Sequence, residues 1–183
     1  MGHADDTSID TITGMTRAVV IGNGGGGKST LAKALAERHD LVWCSVDQIQ
    51  WAPGWDPAPE GLVIQRIRSV MEKDRWIIDG WGPWPSIEER MELSDTLIFV
   101  DLPLWMHFWL AAERQISIAR GQARSDPVEG CDDLTITRRL FETIWHVDQN
   151  LKPHLLELVG RYASGRDYHH VTTLEQLERL AAP

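Results

Sequence analysis

The sequence predicts an α/β fold: a three-layer sandwich with a five-stranded parallel sheet covered by helices on both faces. Two observations predict this fold. Short apolar segments of strand type alternate with longer amphipathic segments of helix type, and aspartates follow several of the apolar segments directly. Alternating strands and helices give parallel sheets, and such sheets bind ligands beyond the carboxyl ends of their strands.

The elements follow one another along the whole chain. The predicted strands lie at 17–21, 41–43, 76–78, 96–100 and 170–172. The predicted helices begin at Ser29 and cover 61–74, about 104–120, 134–159 with a break near Pro153, and 174–180. The first four strands are short, mainly apolar runs, the last is the short segment His-Val-Thr, and the helices have apolar residues at helical spacing.

Composition and charge restrict the kind of protein. Hydrophobic residues make up 43% of the 183, which suits a single domain over 17–183, whereas the polar segment 1–16 predicts a disordered N-terminal extension. No apolar run approaches the roughly 20 residues that span a bilayer. The net charge of −9 argues against a DNA-binding surface, which would need a basic face. Two cysteines, Cys44 and Cys131, are too few for a disulfide framework, so we expect a reduced, cytoplasmic protein.

A glycine-rich loop after the first strand indicates the class of ligand. The segment from Gly22 to Ser29 matches the phosphate-binding pattern G-x-x-x-x-G-K-[ST] at every fixed position, between a strand and a helix. Its glycines allow backbone N–H groups to face phosphates, and the helix N-terminus adds partial positive charge. Lys28 would reach the β- and γ-phosphates and Ser29 would hold Mg²⁺, which predicts ATP or another nucleoside triphosphate. The loop residues predicted to bind it are Gly22, Gly24, Gly25, Gly26, Gly27, Lys28 and Ser29.

Three aspartates stand at predicted strand ends. Asp79 and Asp101 each close an apolar strand, and either could order Mg²⁺ or its waters beside the triphosphate. Asp47 follows the second strand and could accept a proton or a hydrogen bond from a substrate hydroxyl. It could equally cap a short helix that starts at Gln48.

A set of arginines lies on and after the long helix. Its members are Arg114, Arg120 and Arg124. The segment 121–133 contains two glycines and a proline and is typical of a mobile loop, so these arginines could close over a transferring phosphoryl group. A solvated helix face is the alternative. The pair Arg138 and Arg139 is more typical of surface residues.

Nine tryptophans are an unusual part of the composition. Four of them lie in segments rich in proline and glycine: Trp51, Trp55, Trp81 and Trp84. Loop aromatics can wall an acceptor pocket or plug the core beneath the loops. Four others lie in periodic segments, and we predict that they pack in the core: Trp43, Trp76, Trp105 and Trp109.

Taken together, these segments resemble a known family. The glycine-rich loop, Asp47, the segment WAPGW at 51–55, RWIIDG at 75–80, and Arg90 followed by SDTLIFVDLP are similar to the adenylate-kinase-like P-loop proteins. The closest group is the one labelled "DNA topology modulation protein" (FlaR-like). The resemblance implies a P-loop NTPase of nucleoside-monophosphate-kinase type with a short lid at about 121–133. It also adds Thr30 to the residues that bind the triphosphate.

The resemblance assigns further roles and shows one departure. Asp79-Gly80 matches the start of the Asp-Gly-Phe-Pro-Arg turn of these kinases, but the chain continues Trp-Gly-Pro-Trp and lacks the arginine that helps hold the acceptor phosphate. Either Arg90 replaces that arginine or the acceptor carries no phosphate. The lid arginines match Arg114, Arg120 and Arg124.

We therefore predict ATP- and Mg²⁺-dependent phosphoryl transfer to a small-molecule acceptor. The predicted catalytic residues are Lys28, Asp47, Asp79, Arg114, Arg120 and Arg124, and the predicted metal ligands are Ser29 and Asp79. The predicted acceptor site comprises Asp47, Trp51, Trp55, Trp81 and Arg90. The alternative is a nucleotide-dependent regulatory NTPase associated with DNA topology or another macromolecular partner. The identity of the acceptor, ATP against GTP and the oligomeric state stay open.

Overall fold

A computed structural model describes residue 12, residues 14–124 and residues 126–182. The strands are β1 (Arg17–Gly22), β2 (Val42–Ser45), β3 (Trp51–Ala52), β4 (Asp56–Pro57), β5 (Trp76–Asp79), β6 (Thr96–Val100) and β7 (Asp167–Val171). The α-helices are α1 (Lys28–His39), α2 (Asp47–Gln50), α3 (Glu60–Met71), α4 (Trp84–Leu93), α5 (Leu104–Ala119), α6 (Thr137–His146), α7 (Lys152–Tyr162) and α8 (Leu174–Ala181). A 3-10 turn at Asp133–Ile136 precedes α6, and a π-helical segment at Val147–Leu151 joins α6 to α7.

Five of the strands form one parallel sheet in the order β2-β5-β1-β6-β7. This confirms the predicted α/β fold class and its five-stranded parallel sheet. The central strand β1 is apolar without alternation because helices cover both of its faces. Its register pairs Val20 with Asp79 of β5 and Gly22 with Val100 of β6. The carboxyl ends of β1 and β5 therefore lie side by side, at the edge where the glycine-rich loop begins.

The core has one cluster on each face of the sheet. Val19 and Ile21 face a cluster that includes buried side chains of α3, α4 and α7. Ala18 and Val20 face the other cluster, which is covered by α1 and α8. Both clusters exclude water from the strands, so the strand ends are held rigidly.

The ordered domain begins before its predicted boundary at residue 17. Ile12 and Met15 are buried in the cluster beneath α1, and the backbone N–H of Thr16 donates to Asp95 at 3.1 Å. These residues belong to the fold because they cover apolar side chains of the sheet. The rest of the predicted N-terminal extension, 1–11 and 13, lies outside the described residues.

Two details of the helices and loops differ from the sequence prediction. Residues 51–57, predicted as loop, form the two-stranded antiparallel hairpin β3–β4. Trp105 and Trp109, predicted to pack in the core, are 62% and 58% exposed. Their spacing places both on one face of α5, and that face points to solvent while His107 and Ala111 point inward. Within the described part of the chain, no helix is long and apolar enough to cross a membrane.

Candidate active site

The glycine-rich loop leaves β1 through a position that only glycine can occupy. A Cβ at Gly22 would lie 2.0 Å from the carbonyl oxygen of Val100, and the φ of Gly22 is +148°. Gly27, immediately before α1, has φ +76° in the left-handed region. The loop therefore turns sharply from the sheet into the N-terminus of α1. This is the geometry that directs backbone N–H groups toward a phosphate.

Three side chains hold this loop in place: Asn23 of the loop itself, and His107 and Trp81 from distant parts of the chain. The amide of Asn23 donates to the carbonyl oxygen of Ile144 at 2.9 Å, and its Oδ1 accepts from the backbone N–H of Gly24 at 2.7 Å. The Nδ1 of His107 lies 2.9 Å from the carbonyl oxygen of Gly24, so Nδ1 carries the proton. The indole N–H of Trp81 donates to the carbonyl oxygen of Gly22 at 2.7 Å. Sequence reasoning assigned no such role to Asn23 or His107.

Burial of His107 gives a testable pH dependence. Burial, together with nearby Lys28, lowers the pKa of His107 to about 4. Below about pH 6.5, His107 is therefore protonated in the unfolded chain but stays neutral in the folded chain. The free energy of unfolding falls as the pH drops from about 6.5 toward 4. We expect the free energy of unfolding in urea to fall by about 2 kcal/mol more between pH 7 and pH 5 in the wild type than in His107→Gln. The control His146→Gln, at an exposed position, should retain the wild-type pH dependence. An equal change of the unfolding free energy with pH in all three proteins would contradict the prediction.

Lys28 lies where the glycine-rich loop passes into α1, of which it is the first residue. Its ammonium group donates to the carbonyl oxygen of Asn23 at 2.6 Å. Burial lowers the pKa of Lys28, and the carboxylates of Asp47 and Asp79 act in the opposite direction. The predicted lysine of the phosphate site therefore lies within electrostatic reach of both Asp47 and Asp79.

Ser29 and Asp79 form the candidate magnesium site. The Oγ of Ser29 donates to Oδ1 of Asp79 at 2.7 Å, and the indole N–H of Trp43 donates to Oδ2 at 2.7 Å. Burial raises the pKa of Asp79 to about 6, although the two donated hydrogen bonds lower it. Trp43, predicted only as a core residue, thus positions the carboxylate.

The donor chemistry of this pair fits Mg²⁺. In nucleotide sites Mg²⁺ is held by one or two protein oxygens together with phosphates and water. A hydroxyl and a carboxylate in contact supply those oxygens. No cluster of three or more His, Cys, Asp or Glu side chains suited to a metal occurs among the described residues. Asp101, the other strand-end aspartate predicted as a possible metal ligand, is paired with Lys152 at 2.6 Å and with His170 at 3.2 Å, and it lines neither of the two cavities beside the loop.

Two cavities meet beside the loop. The first, of about 390 Å³, is lined by Gly25, Gly26, Gly27, Lys28, Ser29 and Thr30 together with residues of α5 and of the segment after it. The second, of about 330 Å³, is lined by Gly24, the tryptophans of the β3–β4 hairpin and of the turn after β5, and residues of α6. We call them the loop cavity and the tryptophan cavity. Asp47, Arg114 and Arg124 line both cavities, so these three side chains mark the boundary between them.

The predicted lid arginines occupy different surroundings. Arg114 is half-buried, and its Nε has no hydrogen-bond partner within the described ranges. Burial lowers its pKa, and the neighbouring Arg124 adds to the effect. Arg124 binds Asp126 at 2.8 Å and Asp133 at 3.0 Å. Burial alone would lower the pKa of Arg124, but these carboxylates outweigh burial and raise it.

The structure does not bring Arg120 to either cavity, so its place in the site stays a prediction. Arg120 is exposed at the C-terminal end of α5 and lines neither cavity. It stands six residues after Arg114, and six residues turn a helix by about 600°, far from a whole number of turns. The two side chains therefore point in different directions.

The structure also does not bring Arg90, predicted to bind the acceptor, to either cavity. Arg90 has no exposed surface and lines neither cavity. Its guanidinium donates to the carbonyl oxygens of Ser86 at 3.0 Å, of Gly80 at 3.1 Å and of Trp81. Burial lowers its pKa to about 10. Arg90 therefore shapes the turn that carries Trp81 rather than meeting a substrate.

The three tryptophans predicted for the acceptor site line the tryptophan cavity, and a fourth joins them. Trp51 and Trp55 meet edge to face at 6.0 Å, and Trp81 and Trp84 meet in the same way at 5.4 Å. The guanidinium carbon of Arg139 lies 4.9 Å from the ring centroid of Trp51. Arg139 was predicted as a surface residue. It is exposed, but it lines the mouth of this cavity as well.

The hairpin that walls the tryptophan cavity is bonded to the predicted lid segment. The backbone N–H of Gly54 donates to the carbonyl oxygen of Gly130, and the indole N–H of Trp55 donates to that of Asp132, both at 2.9 Å. The thiol of Cys131 donates to the carbonyl oxygen of Ala52 at 3.2 Å. A Cβ at Gly130 would come within 2.7 Å of Pro53, so the two backbones are in close contact.

The solved structures that are similar to this chain include two kinases by name. No protein-family model matches the chain, and no curated protein does. A shikimate kinase from Bacteroides thetaiotaomicron is 17% identical, with a TM-score of 0.47, over 91% of this chain and 94% of that one. A protein from Chloroflexus aurantiacus named a "putative kinase" is 19% identical, with a TM-score of 0.48, over 91% of this chain and 95% of that one. Membership of the FlaR-like group stays a prediction.

Proposed function

We propose that this protein is an ATP- and Mg²⁺-dependent phosphotransferase that acts on the hydroxyl group of a small molecule. One observation carries the proposal: a phosphate-type loop cavity and a tryptophan-walled cavity share an aspartate and two arginines at their boundary. Phosphoryl transfer needs a donor site and an acceptor site in contact, with a base and cations between them. We place the triphosphate in the loop cavity and the acceptor in the tryptophan cavity.

The loop cavity supplies the groups that hold a triphosphate. The loop N–H groups and Lys28 would bind the β- and γ-phosphates, and Ser29 and Asp79 would hold Mg²⁺. When bound, Mg²⁺ neutralises part of the phosphate charge. Trp43 holds the Asp79 carboxylate in place through its indole N–H.

Asp47 is suited to orient the acceptor. It lines both cavities, and its Oδ1 already accepts from the side chain of Gln50 at 2.8 Å, which fixes the carboxylate. The hydroxyl oxygen of the acceptor would form a bond to the γ-phosphorus while the bond to the bridging oxygen breaks and ADP keeps that electron pair. The hydroxyl proton would pass to Asp47, and Arg114 would stabilise the negative charge on the transferring group.

The finer assignment to the adenylate-kinase-like, FlaR-like group rests on the sequence motifs. A regulatory NTPase with a macromolecular partner is the alternative function. A DNA partner is disfavoured by the net charge of −9, because DNA binding requires a cationic face. The tryptophan cavity favours a small acceptor over a macromolecule because a regulatory NTPase has no need of a second concave site beside its nucleotide.

The test is ADP release from ATP and Mg²⁺ across a panel of alcohols that includes nucleosides, nucleotides, sugars and hydroxy acids. We expect at least one compound to raise ADP release well above background hydrolysis in the wild type. Asp47→Asn should bind ATP normally but transfer the phosphoryl group roughly 100- to 10,000-fold more slowly, which is the usual contribution of a general base. A flat panel over slow hydrolysis would contradict the kinase proposal and favour the regulatory NTPase.

A further inference from the structure

The walls of the tryptophan cavity are flat and apolar. Four indole rings line it, and the N–H groups of Trp55 and Trp81 already donate to backbone carbonyls. Those two rings have no donor left for a ligand, so what they offer is carbon surface. Ile136, Leu140 and Val147 add apolar surface from the other side. Walls of this kind bind flat, unsaturated groups by stacking and edge-to-face contact.

The side chains that line the same cavity carry one more positive charge than negative charges. Three arginines and two aspartates line it, an excess of one positive charge in a chain whose net charge is −9. Arg124 is paired with Asp133 at 3.0 Å. Neither Arg114 nor Arg139 takes part in an ion pair found among residues 14–124 and 126–182, although the carboxylates of Asp133, Asp126 and Asp47 are all near enough to act on the charge of Arg114. The cavity therefore favours an anionic ligand.

The two arginines without an ion pair in the described ranges differ in the cavities that they line. Arg114 lines both cavities, which places it beside the transferring phosphoryl group. Arg139 lines only the tryptophan cavity, where it lies over the ring of Trp51. Its one hydrogen bond found in the described ranges is a long one, 3.4 Å from Nη1 to the carbonyl oxygen of Trp55. Arg139 therefore keeps donors for a carboxylate or phosphate next to the indole wall.

We propose that the acceptor is a flat, aromatic alcohol that carries an anionic group, and that Arg139 and Trp51 select it. The inference rests on the proposed function and names its acceptor class. The ring would lie against the indoles, the anionic group would meet Arg139, and the hydroxyl would lie near Asp47. The anionic group is a carboxylate or a phosphate, and the experiment includes both.

The test is binding of matched probes to the full chain with ADP and Mg²⁺, measured by isothermal titration calorimetry. The probes are para-hydroxymethylbenzoate, para-hydroxymethylphenyl phosphate, the neutral para-bis(hydroxymethyl)benzene, and the non-flat trans-hydroxymethylcyclohexanecarboxylate. We expect at least one flat anion to bind roughly fivefold more tightly than the neutral ring and roughly fivefold more tightly than the cyclohexane acid, as expected for one partly exposed ion pair and one aromatic contact.

Variants assign these preferences to the two side chains. Arg139→Gln should abolish the preference for the anion, whereas Arg138→Gln should keep it, because Arg138 is a neighbour whose side chain is 91% exposed and pairs with Glu142. Trp51→Leu should abolish the preference for the flat ring, and Trp51→Phe, which keeps a flat ring, should restore it. The more tightly bound of the two anions names the anionic group.

The outcomes separate this inference from the proposed function. Three outcomes would overturn the inference. The neutral probe could bind as tightly as the flat anions, neither flat anion could bind measurably, or Arg138→Gln and Arg139→Gln could have equal effects. A neutral or cationic acceptor found by ADP release would overturn it too, while the kinase proposal would stand. Selective binding of the flat anions without ADP release above background would support the acceptor site and refute phosphoryl transfer.

Discussion

Lys28→Ala should reduce phosphoryl transfer by at least about 100- to 1,000-fold, the cost of removing one donor that stabilises transition-state charge. Lys28 lines the loop cavity, and no other lysine among the described residues does so. The variant should also bind ADP more weakly, because part of the charge that holds the phosphates is lost. Initial rates of ADP release and calorimetric titration with ADP measure the two effects.

Lys33→Ala is the matched control for this loss. Lys33 lies on the same helix, α1, but is exposed and lines neither cavity. Its removal takes away one positive charge at a similar place in the sequence and should leave both rate and affinity within about twofold of wild type, as for most surface substitutions. Equal activity of Lys28→Ala and wild type would refute the loop cavity as the donor site.

Arg90→Met should destabilise the fold by about 3–5 kcal/mol, a large part of the 5–15 kcal/mol typical of a domain. Arg90 is fully buried, and it is the donor for three backbone carbonyls around the turn after β5. Methionine fills similar space but donates nothing, so buried carbonyl oxygens lose their partner. Urea unfolding followed by tryptophan fluorescence measures the loss.

Arg68→Met controls for the loss of an arginine as such. Arg68 is mostly exposed, and its partner is Glu89 at 2.9 Å on the neighbouring helix, so its removal should cost less than about 1 kcal/mol. Arg90→Lys should not rescue stability, because one ammonium cannot replace a planar group with donors in three directions. A stable Arg90→Met protein that binds the acceptor poorly would restore the original prediction that Arg90 is a substrate ligand.

The parts of the fold that the sequence predicted are those with a local signature. Four of the five strands of the sheet were visible as short apolar runs, and the glycine-rich loop as a fixed pattern of residues. Asp79 could be placed near the loop because parallel strands end at a common edge. Each of these inferences needs only neighbours in the sequence and one general rule about sheets.

The residues that were missed or misplaced depend on contacts between distant segments. Trp43 meets Asp79 across 36 positions, and Asn23 meets Ile144 across 121, so no local pattern marks either contact. Arg90 was predicted as a substrate ligand from the family resemblance, as a replacement for the arginine that the turn lacks, and only the fold shows that three carbonyls surround it. Arg139 looked like surface decoration because its indole partner lies on the hairpin, 88 residues earlier in the chain.

The bonds between the β3–β4 hairpin and residues 130–132 limit how this protein can be redesigned. The hairpin supplies Trp51 and Trp55 to the tryptophan cavity. Residues 130–132, to which it is hydrogen-bonded, follow Arg124 in the chain, and Arg124 lines both the loop cavity and the tryptophan cavity. Grafting a hairpin of another length or sequence would remove the partners of Gly130, Cys131 and Asp132 and displace that arginine's carboxylate neighbours. A library that alters acceptor choice should therefore randomise 51–57 and 126–133 as one cassette, because neither segment can be exchanged without refitting the other.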